Sequence, residues 1–228
     1  MRRRSIPLAM LGAAVALGLA VASAAALSPP SGTPDLSRMT IQSGDLAPGA
    51  TVATDGYATP PKNFTAAYAR KFATAKTPAG LRLLGLDTQI LLGKTTAAAT
   101  GFFAVERSFL RSKRGHSLLT KVLESSTAHN GAKINKVSYQ QFRPLALGSD
   151  AFLQPVVLHV KRLRLAADFV VLRDGVVIST VSYVLTDPMK SMPVAEQLGK
   201  DVSDHITAVL AGSGPTGPSG ATGPTGTT

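Results

Sequence analysis

Between residues 50 and 212 the apolar positions switch between a period of two and a period near 3.6, and the switches mark out the elements. Ala50–Ala58 and Thr65–Ala73 read as short strands, although the second could equally be a helix. Leu81–Leu92 carries Leu81, Leu83, Leu84, Leu86, Ile90, Leu91 and Leu92 and predicts a strand ending at Gly93. Thr95 or Thr96 can cap a helix whose apolar positions Ala98, Phe102, Val105 and Phe109 step by four, three and four. Gly115 is expected to break it, and Ser117–Ser125 gives a second, short helix with Leu118, Leu119, Val122 and Leu123. Asn130–Gly131 marks a turn.

The C-terminal half is more regular. Lys133–Arg143 predicts a strand with Ile134, Val137, Tyr139 and Phe142 inward, despite an uneven period. Further strands follow at Ala151–Arg164, Leu165–Arg173 and Val176–Leu185. Asp174–Gly175 between two such runs signals a type I′ hairpin, whose two central residues both need positive φ. Val176–Leu185 is half apolar on both faces, which places it at the centre of a sheet. Ser191 opens a last helix with Pro193 in its first turn and a stripe of Val194, Leu198, Val202, Ile206 and Val209; Gly212 ends it. The fold class expected is α+β: an antiparallel β-sheet meander with helices packed on one face, in a single domain over residues 35–211.

The two ends differ from this middle. Arg2, Arg3 and Arg4 precede an apolar run, Pro7–Ala22, and then small residues in which Ala22-Ser23-Ala24 and Ala24-Ala25-Ala26 both fit an A-x-A cleavage site. Residues 1–26 therefore read as a secretory signal peptide and imply a secreted or cell-envelope protein. The uncharged stretch from Ser5 to Pro30 is also long enough to anchor in a bilayer, but its small, weakly hydrophobic end favours cleavage. Residues 27–34 are a linker by composition. In residues 212–228, Gly214, Gly217, Gly220, Gly223 and Gly226 recur at period three, a collagen-like Gly-x-y register too short to hold a stable trimer.

Charge adds a partner class. The chain carries 24 Lys+Arg against 13 Asp+Glu, a net charge of +11, which falls to +8 without the leader. That surplus suits anionic lipid or an acidic wall polymer. Only 5% of residues are aromatic, too few for stacking on bases, so no nucleic-acid partner is expected. Arg107, Arg111, Lys113, Arg114 and Lys121 surround the helical pair, and Lys161, Arg162 and Arg164 cluster on one strand. Arg107, Arg111, Lys113, Arg114, Lys161, Arg162 and Arg164 are the candidate contacts to an anionic surface.

Catalytic patterns are missing. There is no cysteine, hence neither a disulfide framework nor a lipidated N-terminal Cys. His116, His129, His159 and His205 have no metal-ligand spacing, and Asp201–His205 reads as an i,i+4 surface pair. Ser117 reads as a helix cap. Glu106, Glu124, Asp168, Asp174 and Asp187 are scattered, and Leu92-Gly93-Lys94-Thr95 lacks the upstream glycine of a phosphate-binding loop. No cofactor is expected.

Gly148-Ser149-Asp150-Ala151-Phe152, the hairpin Phe169-Val170-Val171-Leu172-Arg173-Asp174-Gly175-Val176-Val177, the closing helix and the turn Asp45-Leu46-Ala47-Pro48-Gly49 together resemble a pattern of exported actinobacterial proteins. That set includes the extracellular sensor-like domains of mycobacterial serine/threonine kinases and related lipoproteins. The resemblance spans about residues 35–211. It implies an antiparallel sheet with helices packed on it and a non-enzymatic binding or sensor-like role, and it carries over no catalytic residue. The kinase sensor domains contain disulfides, and this chain has no cysteine. The functions expected are thus a binding domain for an apolar small molecule or an anionic ligand, or else a structural or adhesive envelope protein using a basic face and its tail. Oligomeric state is left open.

Cleavage after Ala24 or Ala26 makes Ala25 or Leu27 the first residue of protein collected from culture medium, as N-terminal sequencing would show. A full-length chain retained in the membrane would identify the segment as an anchor.

Overall fold

The computed structural model describes residues 29–128 and 133–212. The leader, the Asn130–Gly131 turn and the Gly-x-y tail lie outside the described residues. Nine strands form one sheet: β1 (Thr51–Ala58), β2 (Phe64–Lys76), β3 (Arg82–Gly93), β4 (Ile134–Tyr139), β5 (Arg143–Leu145), β6 (Asp150–Gln154), β7 (Val156–Val160), β8 (Leu163–Asp174) and β9 (Val177–Leu185). Three helices accompany them: α1 (Thr96–Arg111), α2 (Lys113–Ala128) and α3 (Ser191–Leu210). The sheet order is β1-β2-β3-β9-β8, after which β6 and β7 share the outer side of β8, with β5 on β6 and β4 on β7. Every pairing is antiparallel. The α+β class and the single domain follow, and β9 sits at the centre between β3 and β8, as its two apolar faces require.

Those two faces feed two cores. Val177, Val181, Tyr183 and Leu185 of β9 join Val170 and Leu172 of β8 against Val194, Leu198, Val202 and Ile206 of α3. Ile178 and Val184 join Phe169 and Val171 against Ala99, Phe103 and Leu110 of α1 and Leu119 and Leu123 of α2. Packing of helices on one face is therefore corrected: α1 and α2 cover one face and α3 the other. Strands apolar on both sides must be covered on both sides. Beside α3, the segment ahead of β1 adds Leu36, Met39 and Ile41, all fully buried, in and after a short 3-10 turn at Leu36–Met39. No period marks this segment, so the sequence pattern passed over it.

Local details refine the rest. Thr95 caps α1 by accepting from the Ala98 amide at 3.1 Å. The buried stripe of α1 is Ala99, Phe103, Glu106 and Leu110, one residue later than expected, and Val105 is 68% exposed. Gly115 lies inside α2 and does not end α1. The break is at Ser112, whose hydroxyl donates to the Phe109 carbonyl and accepts from the Gly115 amide. Ser112, not Ser117, thus makes the cap contact at the start of α2. A Cβ on Gly115 would fall 1.9 Å from the Phe109 carbonyl oxygen, so only glycine permits so tight a turn between the helices. The uneven period of β4 comes from a register shift between Ile134 and Lys136, after which Val137 and Tyr139 pack against the α1/α2 core.

The long strand expected at Ala151–Arg164 is two. Pro155 separates β6 from β7 because it has no amide to donate, and Gln154 spans the break by donating to the carbonyls of Gln140 and Pro155. β7 turns into β8 through Lys161–Arg162, with Val160 opposite Leu163. The next hairpin is displaced by one residue from the Asp174–Gly175 turn expected: Asp174 pairs with Val177, so Gly175–Val176 is the central pair. Positive φ occurs at Gly175 (55°) and not at Asp174 or Val176, which is the type II′ pattern and corrects the expected I′ turn.

Nothing lies within 4 Å of a Cβ built on Gly175, so a substitution there is opposed by backbone strain alone. Gly175→Val should destabilise by about 1–2 kcal/mol in urea unfolding, and Gly175→Asn by clearly less, because Asn tolerates positive φ. Equal losses for the two would contradict the turn.

Candidate anion-binding groove

Arg107 and Arg111 are four residues apart on α1 and lie on the same side of it. Both guanidinium carbons stand 5.4 Å from the centre of the Phe142 ring, within reach of a cation–π contact. Phe142 is fixed from below by Phe152, its centroid 4.4 Å away, and Phe152 by Phe103 of α1 at 5.3 Å. Core packing thus sets the ring, and the ring sets the arginine stems. Beside them runs a groove of about 490 Å³ lined by Thr100, Phe103, Arg107, Ser108, Arg111 and Asp150, among others. Its carboxylate is already engaged, since Arg173 donates to Asp150 Oδ2 at 2.6 Å. Among the described residues no carboxylate forms an ion pair with Arg107 or Arg111.

Lys113 and Arg114 follow at the exposed start of α2. That helix is anchored to β4 by His116, whose ring stacks on Tyr139 at 3.8 Å, while the Tyr139 hydroxyl donates to the His116 carbonyl. Lys161, Arg162 and Arg164 lie elsewhere. The Lys161 carbonyl accepts from Asn135 at the opposite end of β4 from Tyr139. Six strand residues span roughly 20 Å, so the structure divides the seven candidate residues into two separate groups.

Under the groove's helix lies a residue that the one-residue error in the α1 stripe concealed. Glu106 points into the α1/α2 core, is 8% exposed, and its Oε2 has no hydrogen-bond partner. Burial pushes its carboxyl up to about 7. On the same sheet face Asp87 of β3 is raised to about 6 by burial, against the opposing pull of Lys71. The signal was present in the sequence: Glu106 follows Phe103 by three and precedes Leu110 by four. Asp168, on the α3 side, differs in being satisfied, accepting from the Val156 amide at 3.1 Å and from the Ser191 hydroxyl at 2.5 Å. The surface pair expected between Asp201 and His205 is also corrected: His205 Nε2 meets Asp45 Oδ2 at 2.9 Å and ties the segment before β1 to α3.

Between α2 and the sheet, the space bounded by Asp87, Leu123, Phe169 and Ser182 amounts to about 10 Å³, room for about one water. A shallow recess of about 320 Å³ near Gly49, Lys76 and Arg82 lies at the β1–β3 end of the sheet. Among the described residues no helix is long and apolar enough to cross a membrane.

No family model matches the chain, and no curated protein does. Among solved structures, the extracellular domain of PknH from Mycobacterium tuberculosis is similar at a TM-score of 0.46 and 7% identity, covering 77% of this chain and 94% of that one.

The Glu106 carboxyl remains protonated in the folded protein at pH values where the unfolded chain has ionised. Its contribution therefore falls as pH rises from about 4.5 to about 7, by roughly 3 kcal/mol over the window. In urea titrations Glu106→Leu should raise stability at pH 7.5 far more than at pH 4.5. An effect independent of pH would show that this carboxyl carries no uncompensated charge.

Proposed function

We propose that the chain is an exported, non-enzymatic binding domain of the cell envelope that takes an anionic ligand in the groove beside α1. The observation that carries this reading is the pair Arg107 and Arg111, held on one ring with neither in an ion pair among the described residues. Like charges four residues apart on a helix repel, and an anion bridging them removes that repulsion. Two guanidinium forks can meet a phosphate or carboxylate with paired hydrogen bonds, and the hydroxyls of Thr100 and Ser108 stand beside them. The carboxyls of Glu106 and Asp168 are enclosed in the two cores, and Asp150, the carboxylate that does line the groove, is paired with Arg173, which supports binding rather than catalysis. Between α2 and the sheet an apolar ligand has little room at Leu123 and Phe169, whereas the larger groove beside the two arginines suits an anion. A purely adhesive role would need one coherent basic face, and the candidate residues form two groups.

Titration with glucose 1-phosphate and with inorganic phosphate, followed by amide NMR, tests this. Signals of α1 around Arg107 and Arg111 should shift, and Arg107→Gln and Arg111→Gln should each weaken binding about ten-fold or more. Shifts elsewhere, or affinities unchanged in the double variant, would refute the site.

A further inference from the structure

The second basic group has an arrangement of its own. Lys136 of β4 pairs with His159 of β7, and His159 pairs with Arg164 of β8. Directly paired residues share a face, so three basic side chains stand in a row across three strands, about 5 Å from one to the next. The residues next to them, Val137, Leu158, Val160 and Leu165, turn the other way into or against the α1/α2 core. Lys136 and Arg164 are exposed, His159 is half-buried, and among the described residues none of the three takes part in an ion pair.

The hairpin tip adjoining this row is basic as well. Lys161 and Arg162 form the two-residue loop, and Lys161 takes φ of 55°, a conformation that glycine adopts more readily. Leu163 follows at 51% exposure and, paired with Val160, stands on the face opposite the row. The tip therefore presents two cations and an uncovered leucine on a projecting turn, with three more basic side chains along the strands behind it.

We infer that this end of the sheet, where β4, β7 and β8 meet, docks on an anionic lipid surface. Charge complementarity supplies the partner: the exposed Lys136, Lys161, Arg162 and Arg164, none of them in an ion pair among the described residues, match a layer of negative headgroups, each such cation near the surface adding attraction. Leu163 decides between a lipid layer and a soluble polyanion. Next to Lys161 and Arg162 at the tip, an exposed leucine gains from entering the boundary beneath the headgroups, and it gains nothing from a dissolved polymer. The surface is separate from the groove at Arg107 and Arg111, so either can fail without the other.

Co-sedimentation of the exported chain with phosphatidylcholine vesicles, with and without phosphatidylglycerol, tests the inference. Binding is expected on the mixed vesicles alone and should weaken as salt rises from about 0.1 to 1 M. Lys136→Gln with Arg164→Gln should lower it about twenty-five-fold, at roughly five-fold per charge. Lys161→Gly should weaken binding without lowering the melting temperature, which separates loss of contact from loss of fold. Leu163→Ser should weaken vesicle binding while leaving retention on soluble polyphosphate unchanged, and Arg107→Gln should leave vesicle binding intact. Failure to bind the mixed vesicles would overturn the inference. So would vesicle binding indifferent to Leu163, which would reassign the surface to a soluble polyanion.

Discussion

The middle strands of the sheet are apolar on both faces, and the rest of the molecule answers to that constraint. Along β8, Ala166, Val170 and Leu172 face one way while Leu165, Phe169 and Val171 face the other. Leaving either face in water would forgo on the order of 1.5–3 kcal/mol for each large side chain. One layer cannot cover both sides, so the chain supplies two. The helices between β3 and β4 cover one face, and the closing helix with the segment ahead of β1 covers the other.

The two layers are not equivalent. α3 lays down an unbroken stripe of Val194, Leu198, Val202 and Ile206. The stripe of α1 is interrupted by Glu106, a carboxyl without a partner at Oε2, and Asp87 lies on the sheet beneath that layer. A single geometric fact links this weakness to the candidate site. Successive helical residues are about 100° apart, so the phase that turns Glu106 inward also turns Arg107 and Arg111 towards Phe142. Rotating α1 by one residue to bury Val105 would free Glu106 and swing the arginines off the ring. The candidate groove and the destabilisation therefore share a cause in the orientation of one helix.

How much of this the sequence discloses depends on how local the determining physics is. Period-two runs and the α3 stripe placed β3, β8, β9 and α3 closely, and the apolar balance of β9 placed it centrally. The phase of α1 could not be read, because Ala98-Phe102-Val105-Phe109 and Ala99-Phe103-Glu106-Leu110 are adjacent stripes and the more apolar one lost. Contacts along the sheet and with Phe152 decided between them, and those are distant in the chain. The Asp174–Gly175 turn shifted for a similar reason, since ladder register and not turn composition fixed Gly175–Val176 as the central pair, and register likewise set the turn at Lys161–Arg162, inside the strand expected at Ala151–Arg164. Basic residues were recognisable by type alone. That Arg107 and Arg111 share a ring, and that Lys136 and His159 extend a row to Arg164, are facts of tertiary pairing.

Because it encloses the unpartnered Glu106 carboxyl, the α1/α2 layer should be the less stable of the two covers. Native-state hydrogen exchange measures it directly, because sub-global openings report the free energy of each layer separately. At neutral pH the amides of α1 and α2 should exchange through openings of lower free energy than those of α3, β8 and β9, and Glu106→Leu should narrow the gap. Uniform protection of both helical layers, unchanged by that substitution, would contradict it.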